Sequence, residues 1–221
     1  LLVVSYSLID FHHIKAIIRA SKSETAVLSV TFLATLFLEL EFAIYVGVLL
    51  SLVIYLNRTS KPALVKLAPD TADANRRLIN CAKKSLAECP QLSIIRLDGS
   101  LFFGAVNSVS KQLQEIEAPH VLIVASGINF IDVAGAELLV HEAKRRQQLG
   151  GGLYFAKMKA SVSKILYRGR YIDAISEAAF FDTKVEAIQG IFNRLDKAYC
   201  QQCSVRIFDE CQSIVPLQRT S

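Results

Sequence analysis

Three thiols fall close together near the end of the chain, as Cys200-x2-Cys203 followed by Cys211, in a basic, aromatic stretch that also holds Tyr199, Arg206 and Phe208. Thiolates at that density can ligate zinc, although a closed structural site takes four ligands. The fourth would be Cys81, Cys89, a histidine or another chain. Reduced thiols that hold no metal are the competing reading of this incomplete half-site. The sharpest motif elsewhere is Asp132-Val133-Ala134-Gly135. Its carboxylate can accept backbone N–H bonds at the start of a helix, and its glycine permits close approach of a neighbouring chain. Asp132, Ala134 and Gly135 therefore serve either as structure or as a docking point for a regulatory partner protein. His12-His13 could sense pH or meet lipid phosphate, with plain interfacial packing as the alternative. Lys144-Arg145-Arg146 reads as a solvated helix face, or else as a dock for an anionic partner. No constellation supports catalysis. Ser126-Gly127 lacks a nucleophile-elbow setting, and Asp98 and Asp132 lack an acid or base partner. Neither GxGxxG nor a P-loop occurs, so a nucleotide pocket has no support.

These residues must be positioned by a chain of two unlike parts. Between Ala26 and Leu56 the sequence is almost continuous hydrocarbon, interrupted by Glu39 and Glu41. A spanning helix takes about 20 apolar residues, and a charge at the bilayer centre costs about 2.5 to 3.5 kcal/mol on insertion scales. The chain is therefore expected to reverse at Glu39-Leu40-Glu41, leaving arms from about Thr25 to Leu38 and Phe42 to Leu56. At 1.5 Å per residue each arm reaches about 20 to 25 Å, short of the roughly 30 Å core, so such arms need neighbouring helices. A buried helical hairpin of a soluble protein is the alternative. Ahead of the hairpin, Lys15, Arg19 and Lys22 interleave with Ile14, Ile17 and Ile18 at helical spacing, as in an interfacial helix. Arg58 and Lys61 follow it, so the positive-inside rule places both ends, and everything after them, in the cytoplasm. Leu1 to Ile9 would end an earlier span. The first residue is Leu and no secretory leader is recognisable, which reads as the C-terminal piece of a longer membrane protein. The net charge of +5 suits anionic lipid headgroups better than nucleic acid, because much of it lies beside the membrane segments.

After Lys61 the pattern changes. Pro62 and Pro69 bracket an extended linker, and Asp70 to Cys89 is helix-permissive without a clean period. Leu92 to Leu97 predicts a strand ending at Asp98-Gly99, and Val106, Val109, Leu113 and Ile116 predict a helix stopped by Pro119. Val121 to Val124 predicts a central strand buried on both faces. A second helix is expected over Val133 to Leu149, with Leu138, Leu139 and Ala143 inward and Lys144, Arg145 and Arg146 outward. Gly150-Gly151-Gly152 ends it, followed by a strand at Leu153 to Ala156, a helical stretch at Ser161 to Tyr167, and a last helix over Lys184 to Leu195. The alternation indicates a small α/β sheet domain with parallel crossovers.

Thr31-Phe32-Leu33-Ala34-Thr35-Leu36, the acidic turn, Gly47 to Leu52 and Leu56-Asn57-Arg58-Thr59-Ser60-Lys61-Pro62 together resemble the last two spans of the SulP family of inorganic anion transporters. Val121 to Val124 followed by Asn129-Phe130-Ile131-Asp132-Val133-Ala134-Gly135-Ala136-Glu137-Leu138-Leu139 resembles the strand, loop and helix of their STAS domain. The resemblance implies transmembrane segments over 1–60, a linker over 61–70, a cytoplasmic STAS domain over 71–200 and a Cys-containing tail over 201–221. It implies an α-helical membrane hairpin followed by an α/β domain, in a multi-pass protein of the cell membrane. The implied activity is secondary active transport of sulfate, bicarbonate or a dicarboxylate, with no catalytic residue and no cofactor apart from the zinc alternative above. The substrate site would lie in a part of the transporter outside this chain. The expected partners are the anion, the bilayer, a second copy in a homodimer and a cytoplasmic protein, with no nucleic acid. In stand-alone STAS proteins that antagonise anti-sigma factors, the residue before the motif glycine is a phosphorylated serine. Here it is Ala134, which removes that switch, and Ser126 is the nearest hydroxyl. A membrane-tethered signalling adaptor without transport is the competing function.

Overall fold

A computed structural model describes residues 10–73 and 76–214, so Leu1 to Ile9, expected to end an earlier span, lie outside the described residues, as does part of the tail. The chain divides into two compact units, Leu1–Arg58 and Thr59–Ser221.

In the first unit, α1 spans Phe11–Ala20 and starts where Asp10 accepts a bond from the His13 backbone at 3.0 Å. Ser21 breaks the helix in extended backbone and caps α2, Lys22–Phe37, by accepting from the Glu24 N–H, an S-x-x-E start. Leu38 and Glu39 carry the chain between helices, and α3 runs over Leu40–Thr59. The reversal therefore falls within one or two residues of the acidic turn. The arms differ from expectation in length. α3 has 20 residues, about 30 Å at 1.5 Å per residue. Glu41 and Arg58 continue the helix in its end turns, which an apolar-only count leaves out. Among the described residues, α3 is the one helix long and apolar enough to cross a membrane, with mean hydropathy 1.9. Buried Ala34, Ala43 and Gly47 form a seam between the arms, and a Cβ on Gly47 would stand 2.8 Å from Thr31 Oγ1. Small residues let helix backbones approach where no hydrophobic force drives them together. Phe32, Leu36, Phe37, Ile44, Tyr45, Val48 and Leu49 stay exposed on the outer faces.

The second unit is built on a sheet in the order β2-β1-β3-β4-β6-β7. Its strands are β1 (Ala63–Pro69), β2 (Leu78–Asn80), β3 (Leu92–Leu101), β4 (His120–Val124), β5 (Ile128–Ile131), β6 (Gly152–Ala156) and β7 (Phe180–Phe181). β1 pairs antiparallel with β2 and β3, whereas β3, β4, β6 and β7 run parallel. The segment expected as a linker is extended but paired, Ala63↔Asp98 through Leu67↔Ile94, so 61–70 is part of this unit. Prolines at its two ends leave the intervening N–H groups free to bond, which proline content alone conceals. β3 outlasts its predicted end, because Gly99 takes a φ of +143° and the strand resumes to Leu101 beyond that irregularity. There it pairs β5, a strand absent from the expectations.

The helices are α4 (Cys81–Lys84), α5 (Val106–Gln114), α6 (Val133–Gln148), α7 (Ala160–Arg168), α8 (Tyr171–Ile175), α9 (Lys184–Phe192) and α10 (Lys197–Gln202). Every residue of β4 and β6 is buried, as a strand covered on both faces must be. Val121, Leu122, Ile123, Phe155, Leu113 and Leu139 are fully enclosed, each contributing about 1.5 to 3 kcal/mol of burial. One predicted orientation reverses. Lys144 is exposed and Arg145 half-buried, but Arg146 is fully buried. Its Nε donates to Glu142 Oε1 at 2.7 Å, and its terminal nitrogens donate to the carbonyls of Leu113, Ile116 and Ala118. Those carbonyls lie where α5 ends and the chain turns into β4, so one guanidinium fixes that turn against α6. The expected Cys-containing tail is no appendage either, since Ile207 and Phe208 are buried in the core.

Candidate functional site

Asp132 stands where β5 turns into α6. Its Oδ1 accepts from the Gly135 N–H at 2.8 Å, and its Oδ2 accepts from the Phe103 N–H at 2.9 Å. Its own N–H donates to the Leu101 carbonyl at 3.0 Å. One side chain thus caps α6 and fastens the loop leaving β3. Gly135 is the contact point of the same junction, for a Cβ there would stand 2.4 Å from the Leu101 oxygen. Ala134 is half-buried between them and carries no hydroxyl, whereas Ser126 is exposed in the turn after β4. Gly127 beside it is required too, because a Cβ would meet Asp98 Oδ1 at 2.3 Å and the Leu97 oxygen at 2.4 Å. Around Asp132 the side chains of Phe103, Phe130 and Val133 are 78%, 51% and 60% exposed. Asp132, Ala134 and Gly135 are therefore brought together with an apolar rim. The helix cap was legible from the motif. The tie to Phe103, far away in sequence, carries no local signal.

The C-terminal thiols are brought together as well. Cys200, Cys203 and Cys211 line one cavity of about 20 Å³ with Cys89, while Cys81 is elsewhere. Gln91 organises it, donating to Cys200 Sγ at 3.2 Å and to the Asp196 carbonyl at 3.1 Å, and accepting from the Asp196 N–H. All five cysteines are unpaired. Burial, the largest influence on each, pushes the thiols of Cys89, Cys200 and Cys211 above their ordinary range. A metal needs thiolates, so this environment works against ligation. Among the described residues, no three His, Cys, Asp or Glu side chains stand close enough together to hold a metal ion. His12 and His13 are exposed on α1, with His13 3.9 Å from Asp10.

Comparison with known proteins agrees with this geometry. Residues 83–187 match the STAS domain family. YvdB of Bacillus subtilis (strain 168), which bears a provisional sulfate-transporter designation, is 22% identical over 185 residues, covering 82% of this chain and 33% of YvdB. Solute carrier family 26 member 10 of Mus musculus is 27% identical over 197 residues, covering 84% of this chain and 29% of that protein. The murine solute carrier 26 family member A9 anion transporter, solved in its inward-facing state, superposes with a TM-score of 0.72 at 18% identity, over 85% of this chain and 31% of its own. That last likeness is one of fold. The chain spans about a third of the length of the relatives it matches. Coverage of 84% also exceeds what Thr59–Ser221 alone could supply, so the match takes in helical residues of the first unit.

Proposed function

We propose, for a chain that belongs to the SulP family of anion transporters and carries its STAS domain, that it forms the C-terminal part of a secondary active inorganic anion transporter. The observation that carries this reading is the match running across both units in the order helical hairpin, then STAS domain. In that role α2 and α3 pack into a larger bundle. Their exposed outer faces suit contact with neighbouring helices and lipid, and the small-residue seam keeps the two arms together. Sulfate is the first substrate to test, with bicarbonate and dicarboxylates as competitors, and the anion site belongs to the part of the transporter outside this chain. The STAS domain stands on the cytoplasmic side and serves assembly or regulation in a homodimer, without enzymatic chemistry. The apolar rim of Phe103, Phe130 and Val133 around Asp132 supports a docking role for that face.

Uptake of labelled sulfate by proteoliposomes that hold the full-length parent tests the proposal, with unlabelled bicarbonate and a dicarboxylate as competitors and imposed proton or sodium gradients. Saturable uptake is the expected result. Correctly oriented protein that moves neither sulfate, bicarbonate nor dicarboxylate would sink it and favour a membrane-tethered adaptor whose STAS domain only binds a partner.

A further inference from the structure

At the end of the sheet opposite Asp132, where β4 and β6 begin, lies a pocket of about 330 Å³. Its floor is the pair His120 and Tyr154. Their rings stack at 5.9 Å with 24° between planes, and His120 Nδ1 lies 3.2 Å from Tyr154 Oη. Both side chains are more than nine-tenths buried. The glycine run 150–152 makes the space, for a Cβ on Gly152 would stand 2.6 Å from Tyr154 Oη. Arg194, following α9, lays its guanidinium 5.3 Å from the centre of the Tyr154 ring. Gln147 at the end of α6 and Ser176 after α8 complete the polar lining.

The hydrogen-bond inventory of this pocket is one-sided. Among the described residues, the exposed Arg194 guanidinium, Gln147 amide and Ser176 hydroxyl at the pocket's mouth donate to no protein acceptor, and the buried His120 ring has Tyr154 Oη alone. No aspartate or glutamate lines the pocket, and Glu177, next to Ser176 in sequence, lies outside it. A concave site whose mouth carries three donors, one of them a cation lying over the Tyr154 ring, and no carboxylate suits an acceptor with negative charge. The volume falls within the usual range of small-molecule sites, roughly 300 to 1,000 Å³, and leaves room for an organic body beside the charged group.

We propose that this pocket binds a small organic acid, its carboxylate oxygens held by Arg194, Gln147 and Ser176 and its body resting on the His120–Tyr154 floor. The inference rests on the lining alone and is independent of transport. A dicarboxylate such as succinate presents the required chemistry, and inorganic sulfate presents the charge without the body.

The test uses the full chain in detergent micelles, following the histidine ring resonances by NMR during titration with succinate, sulfate and the neutral analogue succinamide at constant ionic strength. Succinate is expected to move the His120 resonance saturably while His12, His13 and His141 stay in place. Arg194→Gln, at an exposed position, should weaken binding by about tenfold or more, the usual cost of removing a charged donor. Arg168→Gln, an exposed cation outside the lining, should leave binding unchanged. Sulfate matching succinate would overturn the organic-acid assignment, because the charged head alone would then account for binding. An unmoved His120 resonance in folded protein, equal binding of succinamide, or an Arg194→Gln variant that binds as well as the parent would overturn the proposal.

Discussion

Replacing Arg146 by alanine tests how this domain is held together. The guanidinium is wholly buried and its partner Glu142 is 6% exposed, so neither charge has water to fall back on. Breaking one side of a buried pair costs about 3 to 5 kcal/mol, and each buried carbonyl left unpaired adds about 1 to 3. Two features reduce that sum. Arg145 bonds both oxygens of Glu142 at 2.8 Å, and its Nη2 also reaches the Leu113 carbonyl at 3.2 Å. The Ile116 and Ala118 carbonyls lose the donor that Arg146 gives them. A loss of about 4 kcal/mol follows, a large share of the 5 to 15 kcal/mol typical of a folded domain. At about 2 to 4 °C per kcal/mol for a domain of this size, the melting temperature should fall by about 8 to 16 °C. Circular dichroism of the full chain in micelles measures both, the free-energy loss by urea denaturation and the temperature shift by thermal melting. Arg146→Met, which keeps the stem, should lose less, and Glu142→Gln combined with Arg146→Met should lose less than the two single changes summed. A loss under about 1 kcal/mol for Arg146→Ala would refute the assignment of this residue as the clamp between α5, β4 and α6.

Four further outcomes follow from the same geometry. Asp132→Ala removes the α6 cap and the tie to Phe103 together and should cost about 1 to 2 kcal/mol in urea midpoints, with Asp132→Asn losing part of that; an unchanged midpoint would contradict the double role. Gly47→Val forces a branched side chain against Thr31 and should weaken hairpin packing by about 1 to 3 kcal/mol, read as lost disulfide cross-linking between cysteines placed at Ala34 and Ala43. The His120 imidazole is held below its ordinary value, by burial first and by Arg194 second. The unfolded chain therefore takes up a proton that the folded chain refuses, so stability should fall as pH drops below about 6.5, and a slope that survives in His120→Asn would count against this. The thiols of Cys89, Cys200 and Cys211 are held high by burial, so the unfolded chain ionises first and stability should decline above about pH 8.5. Iodoacetamide at neutral pH should label buried Cys200 only after denaturant is added, and labelling of Cys200 in the native chain would contradict its burial.

Elements whose signal is local were legible from residues alone. Val121 to Val124 is a run no exposed strand would carry, and Asp132 before an apolar-periodic stretch marks where α6 starts within one residue. What escaped the sequence depends on contacts across the chain. The prolines at the ends of β1 outweigh an unremarkable interior and suggest a linker, and only pairing with β3 makes it a strand. β5 is four residues long, with Asn129 and Phe130 exposed, which leaves too little apolar alternation to detect. Sequence alone puts Arg146 on the solvated face, because charge is normally exposed. What draws it inward is three carbonyls at the end of α5, invisible in its own neighbourhood. At the sites, spacing offers the C-terminal thiols either as an incomplete zinc half-site, with Cys89 among the residues that could complete it, or as reduced thiols that hold no metal. Their apolar enclosure, which raises the thiols, needed the folded packing of Phe192, Phe208 and Gln91 around them. The His120–Tyr154 pair joins residues at the starts of two neighbouring strands, and no motif announces it.

The central proposal is that the chain forms a membrane hairpin followed by a STAS domain, with the acidic turn outside the cell and the domain in the cytoplasm as the positive-inside rule expects. Single cysteines at Glu39, in the hairpin turn, and at exposed Lys164, on α7, in an otherwise cysteine-free full-length parent, can be probed in intact cells with a membrane-impermeant maleimide. The account predicts labelling at position 39 from outside and labelling at 164 only after the membrane is permeabilised. Labelling of both positions from the same side would contradict it.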